Sequence, residues 1–276
     1  MSNVIHSILP TSGNFVSNPV VFNDELIAYG GTSDSSYGVS FDGQFSWTSR
    51  FSSPYKNGTR LITYNNNLYL IGSTSSTETF GKYFYKYDGT SWTRMTDLPY
   101  IFYNGYPVIY NNELHLIGFL TGDSSQTNQH YKWIGSGWIV ASTIPFPFAN
   151  TKVVLYNNEI HMLGYYVAAE SQMLHYKWNG STWISVSTLP YTFSYRTIAV
   201  VCDNKIHLMG GMDTATSKNH FVWDGNEWTE VNTLPFELNG NGSAIEYNND
   251  LLLFGFRQST STYPVLTIGQ DRYRKL

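Results

Sequence analysis

The sequence predicts an all-β fold assembled from tandem copies of one structural unit. Tyr, Phe and Trp make up 17 % of the 276 residues, and Gly, Asn, Ser and Thr are abundant, a mixture that favours strands and turns over helices. One phrase recurs six times, as VFNDELIAYG (21–30), TYNNNLYLIG (63–72), IYNNELHLIG (109–118), LYNNEIHMLG (155–164), VCDNKIHLMG (201–210) and EYNNDLLLFG (246–255). Its period of about 46 residues indicates a repeat architecture.

A second phrase, which ends in Trp, follows each of the first five copies at a fixed distance. Its copies are FDGQFSW (41–47), YDGTSW (87–92), WIGSGW (133–138), WNGSTW (178–183) and WDGNEW (223–228). A third phrase closes four of the units as DLP, TIP, TLP and TLP. The three phrases together set the register of one unit against the next.

Each unit is predicted to contain four short strands. In the third copy, residues 107–110 and 114–117 are apolar runs separated by an Asn-Asn pair (111–112), whose side chains tolerate the left-handed conformation of a tight hairpin. A third strand is predicted at 130–133 and a fourth at 138–141, joined by a turn that contains Gly. Four such strands cannot bury their faces alone, but six units can if their sheets stack around an axis.

The aromatic residues of the unit carry a resemblance to a known family. An aromatic residue ends each third strand and a Trp opens each fourth strand, at Tyr87 and Trp92, Trp133 and Trp138, Trp178 and Trp183, and Trp223 and Trp228. With the Gly after each second strand, these positions make the chain resemble the kelch-repeat β-propellers, and HYKWNGSTW (175–183) is similar to kelch-like repeats of Gram-positive bacteria and their phages. The resemblance implies one domain, 1–276, that is a six-bladed β-propeller of four-stranded antiparallel blades. The glycine doublet usual in kelch repeats occurs only at Gly30–Gly31 and Gly210–Gly211.

A closed propeller requires its two chain ends to be joined in one blade. The last repeat ends after residues 262–269, and residues 8–10 match the TLP phrase that closes a fourth strand. We therefore predict that the ring closes through the N-terminus, with residues 3–8 as the outer strand of the sixth blade. The alternative is that Tyr273 replaces the missing Trp of that blade, since both cannot occupy one strand position.

Charge and composition exclude several classes of function. The net charge is −4 and the 16 Lys and Arg residues are scattered, so no basic stripe is present that could bind nucleic acid. No run approaches the ~18 apolar residues of a membrane span, and the N-terminal residues lack the basic and apolar regions of a signal peptide. We expect a soluble monomer, cytoplasmic or virion-associated, with neither nucleic acid nor membrane as a partner.

The connections on one side of the repeated units are the candidate binding surface. The hairpin turns are nearly identical from unit to unit, whereas the other connections vary in sequence, and binding sites are commonly built from variable loops on a constant scaffold. These variable loops carry amides, one arginine and aromatic rings, which suit saccharide hydroxyls or a peptide backbone. The predicted ligand-binding residues are Asn57, Tyr103, Asn104, Asn150, Tyr195, Arg196 and Asn241. The predicted function is a non-enzymatic scaffold that binds a protein or a saccharide.

Catalysis is the alternative that the resemblance brings, because kelch propellers include copper-radical oxidases and a sialic acid mutarotase. No strand-helix phosphate loop, nucleophile elbow or zinc-protease motif is present. For a mutarotase-like isomerase, Glu237 and Arg196 are the best placed acid/base pair. Cys202 is interpreted as a packing residue, and the repeated histidines are interpreted as structural because equivalent positions on facing sheets lie roughly 10 Å apart. We therefore predict no metal and no cofactor.

Overall fold

The fold consists of short strands joined by tight turns. The computed structural model describes residues 6–8, 14–15, 18–32, 35–41, 47–52, 54, 58–73, 81–100, 105–117, 128–145, 148–166, 169–191, 197–210, 218–234, 242–254 and 264–269. The strands are β1 (His6–Ile8), β2 (Asn14–Phe15), β3 (Val20–Phe22), β4 (Glu25–Thr32), β5 (Ser35–Phe41), β6 (Trp47–Ser52), β7 (Gly58–Tyr64), β8 (Asn67–Ser73), β9 (Phe84–Tyr87), β10 (Trp92–Arg94), β11 (Tyr106–Tyr110), β12 (Glu113–Ile117), β13 (Gln129–Trp133), β14 (Trp138–Thr143), β15 (Phe148–Tyr156), β16 (Glu159–Tyr166), β17 (Ala169–Trp178), β18 (Trp183–Thr188), β19 (Ile198–Cys202), β20 (Lys205–Met209), β21 (His220–Trp223), β22 (Trp228–Glu230), β23 (Ser243–Tyr247), β24 (Asp250–Phe254) and β25 (Pro264–Gly269).

The strands pair into antiparallel sheets that follow the sequence repeat. The chain divides into two compact units, one made of Met1–Ser53 with Pro190–Leu276 and the other of Pro54–Leu189. The second unit contains the sheets β7 to β10, β11 to β14 and β15 to β18, each with its strands paired in chain order. The first unit contains the sheets β19 to β22, β23-β24-β25-β1 and the sheet built on β4, β5 and β6. The four strands predicted for the third repeat are confirmed, with ends that differ by one or two residues.

The hairpin between the first two strands of each repeat has the predicted turn. Both residues of the Asn-Asn pair at 111–112 have positive φ angles, of 48° and 60°. The equivalent pairs in the other five repeats do the same, including the Asn-Asp pair at 23–24 and the Asp-Asn pair at 203–204. Two consecutive left-handed residues define the type I′ turn, whose twist matches that of the flanking strands, and Asn and Asp tolerate this conformation best.

Sheet β11 to β14 is buried on both faces. On one face, Leu114 and Leu116 pack with Phe84 of the preceding sheet. On the other face, Val108 and Ile117 pack with residues of the following sheet that include Trp178 and Met162. Successive strand residues point to opposite faces, so an almost continuous apolar strand such as ELHLI serves both contacts. Burial of each leucine contributes about 1.5–3 kcal/mol.

The innermost strand of the first repeat departs from the predicted pattern. It is divided into β2 and β3, which both pair with β4: Phe15 pairs with Gly30, and Val20 pairs with Ile27. The two pairings differ in register by two residues, so the ladder is not continuous from β2 to β3. Pro19 lies in this interval and has no N–H to donate to the ladder, which gives the physical reason for the interruption.

The N-terminal strand joins the sheet formed by the last repeat. β1 pairs antiparallel with β25, with Ser7 opposite Val265, and is the outer strand of that sheet. This pairing agrees with the strand position predicted for residues 3–8, of which 6–8 are described. The alternative residue, Tyr273, lies outside the described part of the chain. No helix within the described residues is long and apolar enough to cross a membrane.

Candidate functional site

Three polar side chains occupy the same register position in three successive repeats. Arg60 on β7, Tyr106 on β11 and Lys152 on β15 each lie four residues before the tyrosine that ends the first strand. These first strands are neighbours within the second unit, since β11 contacts both β7 and β15. Identical register on neighbouring strands therefore brings the three side chains together, and we call them the Arg60–Tyr106–Lys152 cluster.

Both cations of the cluster lie against Tyr106. The guanidinium carbon of Arg60 is 4.1 Å from the centre of the Tyr106 ring, and the Nζ atom of Lys152 is 5.8 Å from it. Both side chains also donate hydrogen bonds to the phenol oxygen. Cations within about 6 Å of an aromatic ring are attracted by its quadrupole. Arg60, Tyr106 and Lys152 are all partly exposed residues.

The electrostatics of the cluster favour negative charge. Burial would raise the pKa of Tyr106, but the charges and hydrogen bonds of Arg60 and Lys152 outweigh it and lower the pKa below its ordinary value. Tyr100 and Tyr69 show the opposite, because burial raises the pKa of each phenol and no cation compensates. A tyrosine with a lowered pKa between two cations is typical of sites that bind anions or transfer protons.

The cluster can hold an oxyanion or move a proton. Arg presents a planar fork that matches a carboxylate or phosphate, and Lys supplies a compact point charge. The Tyr106 hydroxyl can donate a hydrogen bond to a bound oxyanion or accept one from a ligand hydroxyl. No group of three or more His, Cys, Asp or Glu side chains that could hold a metal ion occurs among the described residues.

Most of the residues predicted to bind the ligand lie outside the described residues. These are Asn57, Tyr103, Asn104, Tyr195, Arg196 and Asn241, together with Glu237 of the catalytic alternative. Asn150 lies within β15, but its side chain is not described. The pairing of β15 with β16 shifts in register between Ala149 and Lys152.

Sequence reasoning missed Arg60, Tyr106 and Lys152, although a signal for them was present. They occupy one repeat position, and the other repeats carry Asn18, Ile198 and Ser243 there. A position that is polar in most repeats, within a strand otherwise built of apolar residues, indicates a side chain that does not belong to the core. The sequence analysis instead placed the binding residues in the loops that precede these strands.

The repeated histidines form three buried pairs. The Nδ1 atom of His115 is 2.8 Å from Nε2 of His130, and the corresponding distances are 2.7 Å for His161 and His175 and 2.9 Å for His207 and His220. Each pair joins the second strand of a sheet to the third. Burial lowers the pKa of each of the six imidazoles. The pairs are therefore neutral at physiological pH.

Cys202 behaves as a packing residue. Its side chain is buried in a cluster with Val200 and Leu253. Burial, together with the nearby carboxylates of Glu246, Asp203 and Asp250, raises the pKa of the thiol to about 12. A nucleophilic or metal-binding cysteine needs the thiolate form, which this environment disfavours.

Comparisons with known proteins identify the fold. The sequence matches no protein-family model and none of the curated proteins. The structure is similar to the solved structure of YjhT, with a TM-score of 0.76 and 12 % sequence identity over 95 % of this chain and 96 % of that one. This likeness shows an all-β propeller with four-stranded antiparallel blades. At this identity it shows the fold alone.

Proposed function

We propose that the protein is a non-enzymatic binding scaffold that takes an acidic saccharide at the Arg60–Tyr106–Lys152 cluster. In this proposal residues 1–276 form one six-bladed kelch-type propeller, closed by β1, that acts as a soluble monomer without nucleic-acid or membrane partners. The observation that carries it is the placement of two cations around one partly exposed tyrosine on neighbouring strands.

The chemistry of the cluster favours a carboxylated ligand. Charge-assisted hydrogen bonds to Arg or Lys are about twice as strong as neutral ones. The Tyr106 ring also offers an apolar face on which the C–H face of a sugar can pack. Asn104 and Tyr103 precede Tyr106 by two and three residues in the sequence, and their predicted role as ligand contacts belongs to the same proposal. An acidic side chain of a protein partner is the competing ligand.

A second candidate function is supported by the lowered pKa of Tyr106. A phenol whose deprotonated form is stabilised by two cations can serve as a general base toward a sugar hydroxyl. The protein would then be a carbohydrate isomerase of the mutarotase type. Tyr106 would act there beside, or in place of, the predicted pair Glu237 and Arg196.

The proposal is tested by a glycan-array screen followed by calorimetry with glucuronic acid and with glucose. We expect binding of carboxylated glycans, and a loss of at least tenfold in affinity in Arg60→Met/Lys152→Met, because the carboxylate loses both charged partners. The matched control is Arg94→Met. Arg94 also lies over a tyrosine ring, with its guanidinium carbon 4.2 Å from the centre of the Tyr83 ring, but it is exposed and paired with Asp97. Equal affinity in both variants would contradict the proposed site.

Tyr106→Phe separates the binding scaffold from the isomerase. A scaffold keeps its affinity within a few-fold, because the ring and both cations remain. An isomerase loses turnover, measured by the exchange of sugar anomers in NMR, while it still binds the sugar. Anomer exchange at the uncatalysed rate in the unmodified protein, with the glycan bound, would exclude the second candidate function.

A further inference from the structure

The three histidine pairs have apolar equivalents in the chain's own repeats. His115 corresponds to Tyr69 of the preceding repeat, and His130 corresponds to Phe84. Tyr69 and Phe84 stack at 5.3 Å between ring centres, in the place where the histidines hydrogen-bond. Phe84 packs against Trp133 of the next sheet at 5.1 Å. The fold therefore accepts either an aromatic pair or a histidine pair at this position.

The aromatic pair is the better choice for stability alone. Both members of each histidine pair carry buried ring nitrogens, and a buried polar group without a partner costs stability. Within the described residues, no hydrogen-bond partner is found for Nε2 of His115, Nδ1 of His130 and Nε2 of His161. The fold does not require histidine here, because the other three repeats have Ile27, Tyr69 and Leu252 at the first histidine position. Folding alone therefore does not explain the three histidine pairs.

Each pair has a limited capacity for protons while it stays closed. The carbonyl oxygen of Cys202 only accepts, so Nε2 of His207, 3.1 Å away, carries a hydrogen. In the neutral pair, Nδ1 of His207 then accepts from Nε2 of His220. A closed pair can add one proton at an outer nitrogen, but a second would place two N–H groups against each other at less than 3 Å. An open pair can add two.

Each histidine pair has a lysine and a carboxylate nearby among the described residues, and in the first two pairs these groups form an ion pair. Lys132 and Glu113 form an ion pair at 2.9 Å beside His115, whose Nε2 lies 3.6 Å from Glu113. Lys177 and Glu159 form the equivalent ion pair beside His161, also at 2.9 Å. Asp203 and Lys205 act on His207.

In the following sheet, the described side chains that contact the first pair are aromatic. Trp178 and Trp183 cover His130, with ring centres 5.1 Å and 5.6 Å away. In the second pair, Nδ1 of His175 lies 3.2 Å from the hydroxyl oxygen of Ser187, which belongs to the same sheet. Among the described residues, the carboxylates that face the first two pairs, Glu113 and Glu159, are each shared with a lysine.

We propose that the three histidine pairs form an acid-responsive device, in which proton uptake between about pH 6.5 and 4.5 opens the sheets that contain them while the apolar pairs hold. The device is connected to the Arg60–Tyr106–Lys152 cluster. Val108, two residues after Tyr106, pairs with His115, and Val154, two residues after Lys152, pairs with His161. Opening would separate Tyr106 and Lys152, and this consequence for ligand release rests on the proposed function.

The experiment follows tryptophan emission and near-UV circular dichroism of the ligand-free protein from pH 7.5 to 4.5. The unmodified protein should open in a transition that takes up at least one proton for each pair. The variant His115→Tyr/His130→Phe copies the pair of the preceding repeat. For each pH unit, the ratio of open to closed protein should change ten- to a hundredfold less in this variant than in the unmodified protein. The reason is that opening of the variant takes up one or two fewer protons.

Two further variants complete the design. Tyr69→His/Phe84→His installs a fourth pair and should increase the pH dependence by the same factor. Thr93→His places a histidine on the exposed strand β10 and should leave the transition unchanged. If His115→Tyr/His130→Phe does not fold at pH 7.5, the variant Tyr69→His/Phe84→His tests the proposal by itself. An unchanged transition in the installed-pair variant, or in the variant with all three pairs replaced, would overturn the proposal.

Ligand release is measured separately, as the affinity for glucuronic acid at pH 7.5 and 5.0. We expect a loss of affinity at pH 5.0 that disappears in the variant with all three pairs replaced. Acid opening without glucuronic acid binding at either pH would leave the device standing and contradict the carboxylate site. Binding that is equal at both pH values while the sheets open would overturn the connection between them.

Discussion

The contact between Tyr110 and Gly180 joins two neighbouring sheets of the second unit, and it can be tested with a matched pair of glycines. Gly180 and Gly135 occupy the same turn in successive repeats, with φ angles of 100° and 89°. A methyl group added to Gly180 would lie 2.8 Å from the hydroxyl oxygen of Tyr110, whereas one added to Gly135 would meet nothing within 4 Å. Backbone strain is therefore common to both positions, and the steric contact exists at only one.

The expected costs follow from these distances. Gly135→Ala should lower the free energy of unfolding by about 1–2 kcal/mol, because a residue with a side chain is strained at positive φ. Gly180→Ala should cost about 1–3 kcal/mol more, because overpacking forces a buried side chain to shift. Tyr110 is buried and packs edge-on against His115 at 5.6 Å, which restricts that shift.

Tyr110→Phe should rescue the Gly180→Ala variant. Without the hydroxyl, the added methyl group would meet its nearest neighbour, Cζ of residue 110, at 3.8 Å, which is an ordinary van der Waals distance. Urea unfolding of both single glycine variants, of Tyr110→Phe and of the double variant completes a double-mutant cycle. Equal destabilisation by Gly180→Ala and Gly135→Ala, within about 0.5 kcal/mol, would refute the contact between the two sheets.

Three other predictions concern burial and acid stability. Cys202 should not react with a thiol reagent at pH 8 in the folded protein and should react fully in concentrated urea, because the pKa of the buried thiol is raised to about 12; fast reaction of the folded protein would contradict this burial. Leu116→Ala should lower the free energy of unfolding by about 2–5 kcal/mol, whereas Val140→Ala, at a side chain that is 54 % exposed, should change it by less than about 0.5 kcal/mol; similar effects would place Leu116 outside the core. Backbone N–H groups lower the pKa of Asp88 and Asp224 below their ordinary values, so their contribution to stability is present above about pH 3.9 and is lost as the pH falls through the folded pKa; Asp88→Asn/Asp224→Asn should flatten the fall of the urea midpoint between pH 4 and 2, and an unchanged slope would exclude these turns as its cause.

The repeat made the strands and turns predictable from the sequence. The pair of Asn or Asp residues in each repeat predicts a hairpin, because both residue types tolerate the left-handed conformation, and all six pairs adopt it. The division of the first strand was not predicted, although Pro19 carried the physical reason for it.

The candidate site was less predictable because it depends on contacts between repeats. The register of β15 against β16 shifts between Ala149 and Lys152, and no periodicity of the sequence indicates this shift. The repeated histidines were predicted to be structural, but the burial of the pair His115 and His130 depends on Trp178 and Trp183 of the next sheet. Distances between side chains on different repeats follow from packing, which a single sequence does not encode locally.

Divergence at fixed register explains how one repeated unit can acquire chemistry. Duplication places equivalent residues of neighbouring sheets at equivalent heights, so a single substitution in each of three repeats is enough to assemble Arg60, Tyr106 and Lys152. The same logic gives Tyr69 with Phe84 in one repeat and His115 with His130 in the next, at one strand position and in one packing environment. Residues that stay constant between repeats, such as the Asn-Asn turns, therefore report the scaffold. Residues that differ at a constant position include Arg60, Tyr106 and Lys152 but also Cys202, which packs in the core, so such a difference indicates function only where exposure and charge accompany it.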